Sequence, residues 1–206
     1  MDFSSIDHLV VAAPTLEEGS HWAHKLFDIQ PEPGGIHQGL GTHNILLGLG
    51  DSCYLEIIAP DPKQNDIPKH WIPADNYIMP QLIGWASPSK NILSLKDAVP
   101  DTLGDVSLMS RQKPDGSTIS WSMSYPRFDL FNGLLPFLIQ WPPGLHPGKN
   151  LKQIGTIIQF QLYHPEHENL EKQLDQMGIY FPVIKSEKPH IEAKIKLSDE
   201  RTITIK

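Results

Sequence analysis

One carboxylate stands inside an otherwise apolar strand, and the rest of the chain has to accommodate it. Residues 53–58, Cys53-Tyr54-Leu55-Glu56-Ile57-Ile58, have the composition of a buried strand except at Glu56. Strand alternation puts Tyr54, Glu56 and Ile58 on one face and Cys53, Leu55 and Ile57 on the other. A carboxylate taken out of water without a partner costs several kcal/mol or takes up a proton. Glu56 therefore predicts a cation, a donor or a water-filled cavity in front of it.

A partner is available earlier in the chain. Residues 6–13, Ile6-Asp7-His8-Leu9-Val10-Val11-Ala12-Ala13, form a second apolar strand with His8 as its polar intruder. His8 shares a face with Ile6 and Val10, while Leu9, Val11 and Ala13 face the other way and can pack under a helix. Imidazole and carboxylate together suit zinc, iron, manganese or nickel. The plainer reading is a His8–Glu56 hydrogen bond that satisfies two half-buried polar groups.

Between and beyond these strands the elements can be placed. Thr15 with Glu18 three residues on is a capping box, and Leu16, Ala23, Leu26 and Phe27 form the apolar stripe of the helix it starts. His21 and His24 follow the polar face of that helix. Pro31 and Pro33-Gly34-Gly35 end the unit, and Gly34, Gly35, Gly39 and Gly41 predict positive φ or a bulge. His37 and His43 come next. Alternation groups His43 with Ile45 and Leu47, and Asn44 with Leu46, without saying which face is the pocket. Residues 63–80 read as an irregular connection rich in proline, weighted by Trp71 and Tyr77.

From 81 to 150 a second strand–helix–three-strand order appears. Leu82–Ala86 is its first strand, 89–99 a short helix, 106–111 and 118–125 a hairpin around Lys113-Pro114-Asp115-Gly116, and 136–141 the last strand. Gln140 is the lone polar side chain of that last strand. Residues 151–206 add a strand, a helix striped by Leu170, Leu174 and Met177, and a hairpin around Ser198-Asp199. This βαββ segment carries no metal-competent residue at its strand centres and reads as a structural or dimerising module, so a homodimer is among the expected partners.

The order of elements and five motifs resemble a known family. A His-bearing strand, a capped helix, GGxH at 34–37, GTxN at 41–44 and YLEIIAPDP at 54–62 resemble the first module of the glyoxalase-like branch of the vicinal oxygen chelate superfamily. The SRxxPDGxxxxW segment from Ser110 to Trp121 and the PFLIQW strand resemble the same branch, and the likeness fades after 151. The resemblance implies an α+β fold of repeated βαβββ modules, residues 1–62 and 81–150, curled into a half-barrel around a metal. It implies metal residues on the first and last strands of a module, positions that His8 and Glu56 match. The second module departs from the pattern, because its first strand has no His or Glu and its last offers only Gln140. A weakly held metal is the result, with a third imidazole drawn from His37, His43 or His146. Glu56 is then the candidate base, with Arg111, Trp121, Gln140 and Tyr54 lining the substrate.

Bulk properties narrow the function classes. The 206 residues are 39% hydrophobic and 20% charged, an ordinary globular composition. A formal net charge of −7 without any basic run argues against nucleic acid and anionic membranes as partners. The single cysteine, Cys53, in a buried strand, predicts a reducing cytoplasm. No signal peptide is visible at the start, and no apolar run approaches the roughly 20 residues that span a bilayer. Two functions follow. One is a metal-assisted lyase, isomerase or dioxygenase on a small oxygenated molecule. The other is a metal-free pocket lined by Trp85, Trp121, Trp141 and Tyr54 that binds or sequesters such a molecule without catalysis.

Overall fold

The computed structural model describes residues 3, 5–37, 39–64, 77–113, 115–127 and 130–206. Trp71 and Pro114 fall outside the described residues. The first unit consists of β1 (His8–Ala12), α1 (Leu16–Phe27), β2 (Glu32–His37), β3 (Thr42–Gly48) and β4 (Tyr54–Pro60). The second repeats the order with β5 (Gln81–Pro88), α2 (Ile92–Ala98), β6 (Ser107–Gln112), β7 (Thr118–Ser124) and β8 (Phe137–Gln140).

These eight strands close into one barrel in the order β1-β4-β3-β2-β6-β7-β8-β5. The expected half-barrel is thus a full one, because the units join along both edges. On one side β1 runs antiparallel to β5, with His8 opposite Ala86. On the other, among the described residues, β2 meets β6 through Ile36–Gln112 and His37–Arg111. That second junction brings two polar residues of distant sequence onto one inner face.

Strands β1, β4 and β8 are buried on both sides, which is why they read as nearly continuous apolar runs, whereas β6 and β7 leave outer positions exposed. Val10, Ala12, Ile58, Ala86, Ile119, Trp121, Met123, Phe137 and Ile139 form the inner cluster. Leu9, Val11, Ala13, Leu47, Leu55 and Ile57 belong to the outer core, together with Ala23 and Phe27 of α1. Ile6 departs from its expected face. It precedes β1, where alternation no longer applies, and packs in the outer core. Helix α1 starts at its capping box, where Glu18 N donates to Thr15 Oγ1 at 3.1 Å. It lies close to β4 because Gly19 has no side chain: a Cβ there would stand 2.6 Å from Ile57 Cγ2. His21 and His24 are exposed on its far face.

A second sheet covers part of the barrel. It contains β9 (Gly155–His164), β10 (Val183–Lys185), β11 (His190–Leu197) and β12 (Thr202–Ile205), with α3 (His167–Gln176) between β9 and β10. The sheet order is β10-β9-β11-β12. Strand β10, at three residues, is too short to show a pattern in sequence. The winding also differs from the barrel units. There the first strand pairs with the last, β1 with β4 in parallel; here the first strand lies between the second and third. Trp85 joins the two layers. It points out of the barrel, not into the pocket as expected, and packs at ring distances of 5.0 Å on Phe160 and 5.7 Å on Phe181. Its indole N–H donates to Leu134 O at 3.0 Å. Among the described residues no helix is long and apolar enough to cross a membrane.

Candidate functional site

Glu56 sits at the inner centre of β4, 6% exposed, with Leu46 of β3 and Val10 of β1 as its register neighbours. Its Oε1 accepts a 2.5 Å hydrogen bond from Asn44 Nδ2. His8 Nε2 lies 3.4 Å from Oε2, and His37 Nε2 lies 3.5 Å from Oε1. The two imidazoles therefore flank opposite oxygens of one carboxylate.

Asn44 organises this group. Its Oδ1 accepts from Arg111 NH1 at 3.2 Å, which fixes the amide with its nitrogen toward Glu56. The second N–H of the same amide faces His37 Nε2 at 3.2 Å. His37 then accepts at Nε2 and donates from Nδ1 to Thr42 Oγ1 at 2.9 Å. Burial holds its pKa below the ordinary imidazole value, consistent with a neutral ring. Gly34 makes room for the Asn44–Arg111 contact, since a Cβ there would stand 2.6 Å from Arg111 NH1 and closer still to Asn44 Oδ1.

Asp7 completes the other end. It is 1% exposed and its Oδ1 accepts from His8 Nδ1 at 2.7 Å. Trp141 Nε1 donates to the same carboxylate, 3.1 Å from Oδ2, and His146 Nε2 lies 3.4 Å from Oδ2. Burial pushes Asp7 up, but the neighbouring His146 and His8 imidazoles outweigh it and hold Asp7 below the usual carboxylate range. A carboxylate at Nδ1 requires a proton there. In the neutral ring His8 then presents a lone pair toward Glu56, so a proton or a ligand donor belongs between them. The His8 ring stacks on Tyr54 at 4.4 Å and meets the edge of Phe137 at 5.2 Å. Burial and the charges of Asp7 and Glu56 push the Tyr54 hydroxyl far up, so it stays neutral.

These side chains form one end of a cavity with about 410 Å³ of space, its open mouth included. The other wall is Trp121, Met123, Phe137, Ile139 and Trp141. Two donors are short of partners. Arg111, 6% exposed, makes a side-chain hydrogen bond to Asn44, and among the described residues no carboxylate lies within 4.0 Å of it. Trp121 Nε1 is buried with no hydrogen-bond partner.

The expected residues divide accordingly. Glu56, His8, His37, Arg111, Trp121 and Tyr54 line the cavity together. His43 does not. Asn44 takes the inner face of β3, so alternation turns His43 outward, half-buried against Gln112 and Lys113. Gln140 also points out, where its Oε1 accepts from Ile92 N at 2.9 Å and caps α2; Ile139 is the inward residue of β8. His146 reaches Asp7 rather than Glu56, and its Nδ1 accepts from Gly148 N. Sequence reasoning missed Asn44 and Asp7. Asn44 lies in the GTxN motif, which was a usable signal. Alternation set Asp7 opposite His8, but Asp7 precedes the strand and is free to turn back. Cys53 behaves as a partly buried apolar residue packed on the outer core, its thiol pushed up to about 12 by desolvation.

The donor set does not fit a resident divalent metal. Among the described residues no three His, Cys, Asp or Glu side chains are grouped to hold one. Asn44 occupies Glu56 Oε1 and His37 Nε2 at once. The second unit contributes Phe137, Ile139 and Met123 where donors would be needed.

A family model described as "Glyoxalase-like domain" matches residues 6–178. No curated protein sequence matches the chain. Among solved structures, a hypothetical protein from Staphylococcus aureus superposes with a TM-score of 0.72 over 98% of both chains at 13% identity. A methylmalonyl-CoA epimerase from Mycobacterium tuberculosis gives a TM-score of 0.46 at 17% identity, covering 70% of this chain and 95% of that one. A substituted methylmalonyl-CoA epimerase from Streptomyces coelicolor, in complex with 2-nitronate-propionyl-CoA, gives 0.48 at 14% identity, covering 68% and 95%.

Proposed function

The chain belongs to the glyoxalase-like domain family, and on that premise we propose that it binds a small oxygenated anion inside the barrel and moves a proton on it. The observation that carries this reading is the single amide of Asn44 holding Arg111 on its oxygen and Glu56 on its nitrogen. A buried cation and a buried base thereby face one cavity at a fixed spacing.

The chemistry follows from the groups. Arg111 offers a planar fork of N–H donors to a ligand carboxylate, and Trp121 Nε1 offers one more to a neighbouring oxygen. Glu56 takes a proton from the carbon next to a carbonyl. The C–H electron pair moves into a carbon–carbon double bond, and the carbonyl π pair moves onto oxygen. His8 Nε2, its lone pair 3.4 Å from Glu56 Oε2, takes that proton on from Glu56 and passes it to the oxygen. Return of a proton to either carbon, or to either face of one carbon, gives an isomer. Met123, Phe137 and Ile139 keep water away from the enol. No step passes through a metal. A metal-assisted version with zinc, manganese, nickel or iron would have His8 Nε2 and Glu56 Oε2 as its protein ligands, and would need Asn44 to turn away before His37 could join them.

The test uses small 2-oxo and 2-hydroxy carboxylic acids in D₂O, with C–H signals followed by proton NMR. Exchange that requires Glu56 is the expected result. Binding without exchange of any member would favour sequestration. If no anion binds, or if Arg111→Leu binds them as wild type does, the reading is wrong.

A further inference from the structure

Asp7 is the most heavily used buried group that the proposed reaction leaves without a role. Two donors converge on it from distant parts of the chain, His8 at the start of β1 and Trp141 just after β8, and His146 Nε2 in the loop that follows stands 3.4 Å away without a hydrogen bond of its own. The loop is seated firmly. Gly148 approaches the β3–β4 turn so closely that a Cβ would stand 2.9 Å from Cys53 O and 3.0 Å from Gly50 O.

We infer that Asp7 is a positioning residue that sets the tautomer of His8, with Trp141 fixing which way any group at position 7 must face. The inference rests on the reading of Glu56 and His8 as the proton-exchanging pair, but its central claim concerns the ring alone. A carboxylate only accepts, so His8 Nδ1 carries the proton and Nε2 turns its lone pair to the cavity. Metal-free acid–base sites elsewhere use such a carboxylate to hold an imidazole in one tautomer without taking its proton.

Trp141 makes the claim sharp. Indole N–H donates and never accepts. It lies closer to Oδ2 than to Oδ1 of Asp7, at 3.1 against 3.3 Å. In Asp7→Asn the amide oxygen is therefore drawn to the Oδ2 place to accept from Trp141. The amide NH₂ is left at the Oδ1 place, facing His8 Nδ1. His8 must then accept at Nδ1 and carry its proton on Nε2, the inverse tautomer. Replacing Trp141 with Phe in that background removes the one hydrogen bond to the Oδ2 place, where His146 Nε2 at 3.4 Å makes none, so the amide can turn and let Nδ1 keep its proton.

The experiment is proton–nitrogen correlation NMR of the histidine rings at about pH 9, above the usual imidazole range of about 6.5. Wild type is expected to show His8 protonated at Nδ1, Asp7→Asn at Nε2, and Asp7→Asn with Trp141→Phe at Nδ1 again. Carbon–hydrogen exchange is expected to fall by about 10²–10⁴-fold in Asp7→Asn and to recover in part in the double variant. Nε2 protonation in wild type would overturn the inference, even if the variants failed to fold. So would an unchanged tautomer in a folded Asp7→Asn. If the ring inverts as expected but no variant nor wild type exchanges any substrate, the positioning claim stands and the proposed reaction falls.

Discussion

Asn44 binds Glu56 through its nitrogen at 2.5 Å while its oxygen is held by Arg111, so the base and the buried cation of the cavity cannot move independently. The arrangement depends on Gly34, whose missing side chain leaves the space that Asn44 and Arg111 share. Base, amide and guanidinium come from β4, β3 and β6, and the barrel closure between β2 and β6 is what assembles them.

Removing the base without changing its shape separates chemistry from binding. Glu56→Gln is expected to lower substrate proton exchange by about 10²–10⁴-fold while the anion still binds. Exchange by NMR and affinity by calorimetry, on the same sample, check both halves.

Arg111→Leu removes the fork but keeps apolar contact with the wall. Loss of a charge-assisted hydrogen bond costs about 1.5–3 kcal/mol, so anion affinity should fall by about 10–100-fold. Calorimetric titration with a small carboxylate measures it. An equal loss for a neutral ligand would point to collapse of the cavity instead.

Acid should destabilise the fold through its buried histidines. Burial lowers the folded-state pKa of His37 and of His164 below the ordinary value of 6.5. The unfolded chain therefore binds more protons in that range, and stability falls as pH drops from about 6.5 through the depressed values. Each such group contributes a slope of at most about 1.4 kcal/mol per pH unit. Urea unfolding at steps from pH 7 to pH 5 should show the decline. His37→Gln should flatten it, and an unchanged slope would remove His37 from the account.

Titration with zinc, manganese, nickel and iron(II) is expected to give no stoichiometric binding at Glu56, because Asn44 engages Oε1 and His37 Nε2 and only His8 Nε2 and Glu56 Oε2 remain, one ligand short of a three-residue site. A binding heat that vanishes in His8→Ala and in Glu56→Gln would reverse that conclusion and restore the metal-assisted reading.

Trp85→Ala should destabilise the chain by about 3–5 kcal/mol, as large aromatic truncations in cores do. It also leaves Leu134 O without its donor. Urea unfolding checks the size of the effect. A loss below about 1 kcal/mol would mean that the barrel and the covering sheet do not rely on this contact.

Much of this was legible in the chain itself. The period of two places Tyr54, Glu56 and Ile58 on one face, and His8 with Val10 on another, because local sterics alone dictate alternation. The capping box at Thr15 and the turn around Asp115 are local too. The motifs at 34–37, 41–44 and 54–62 carried the family resemblance that the glyoxalase-like model bears out over residues 6–178. What alternation cannot supply is which face becomes the inside, since that depends on the partner strand. Only pairing across the sheet turned Asn44 in and His43 out, aimed Ile139 rather than Gln140 at the cavity, and sent Trp85 into the outer core. Arg111 is brought opposite His37 by a two-pair contact between strands more than seventy residues apart, too short to leave a pattern. Asp7 turns back to His8 because it lies just outside β1, where no strand register constrains it. Local periodicity fixed the relative faces; closure of the barrel decided which groups meet.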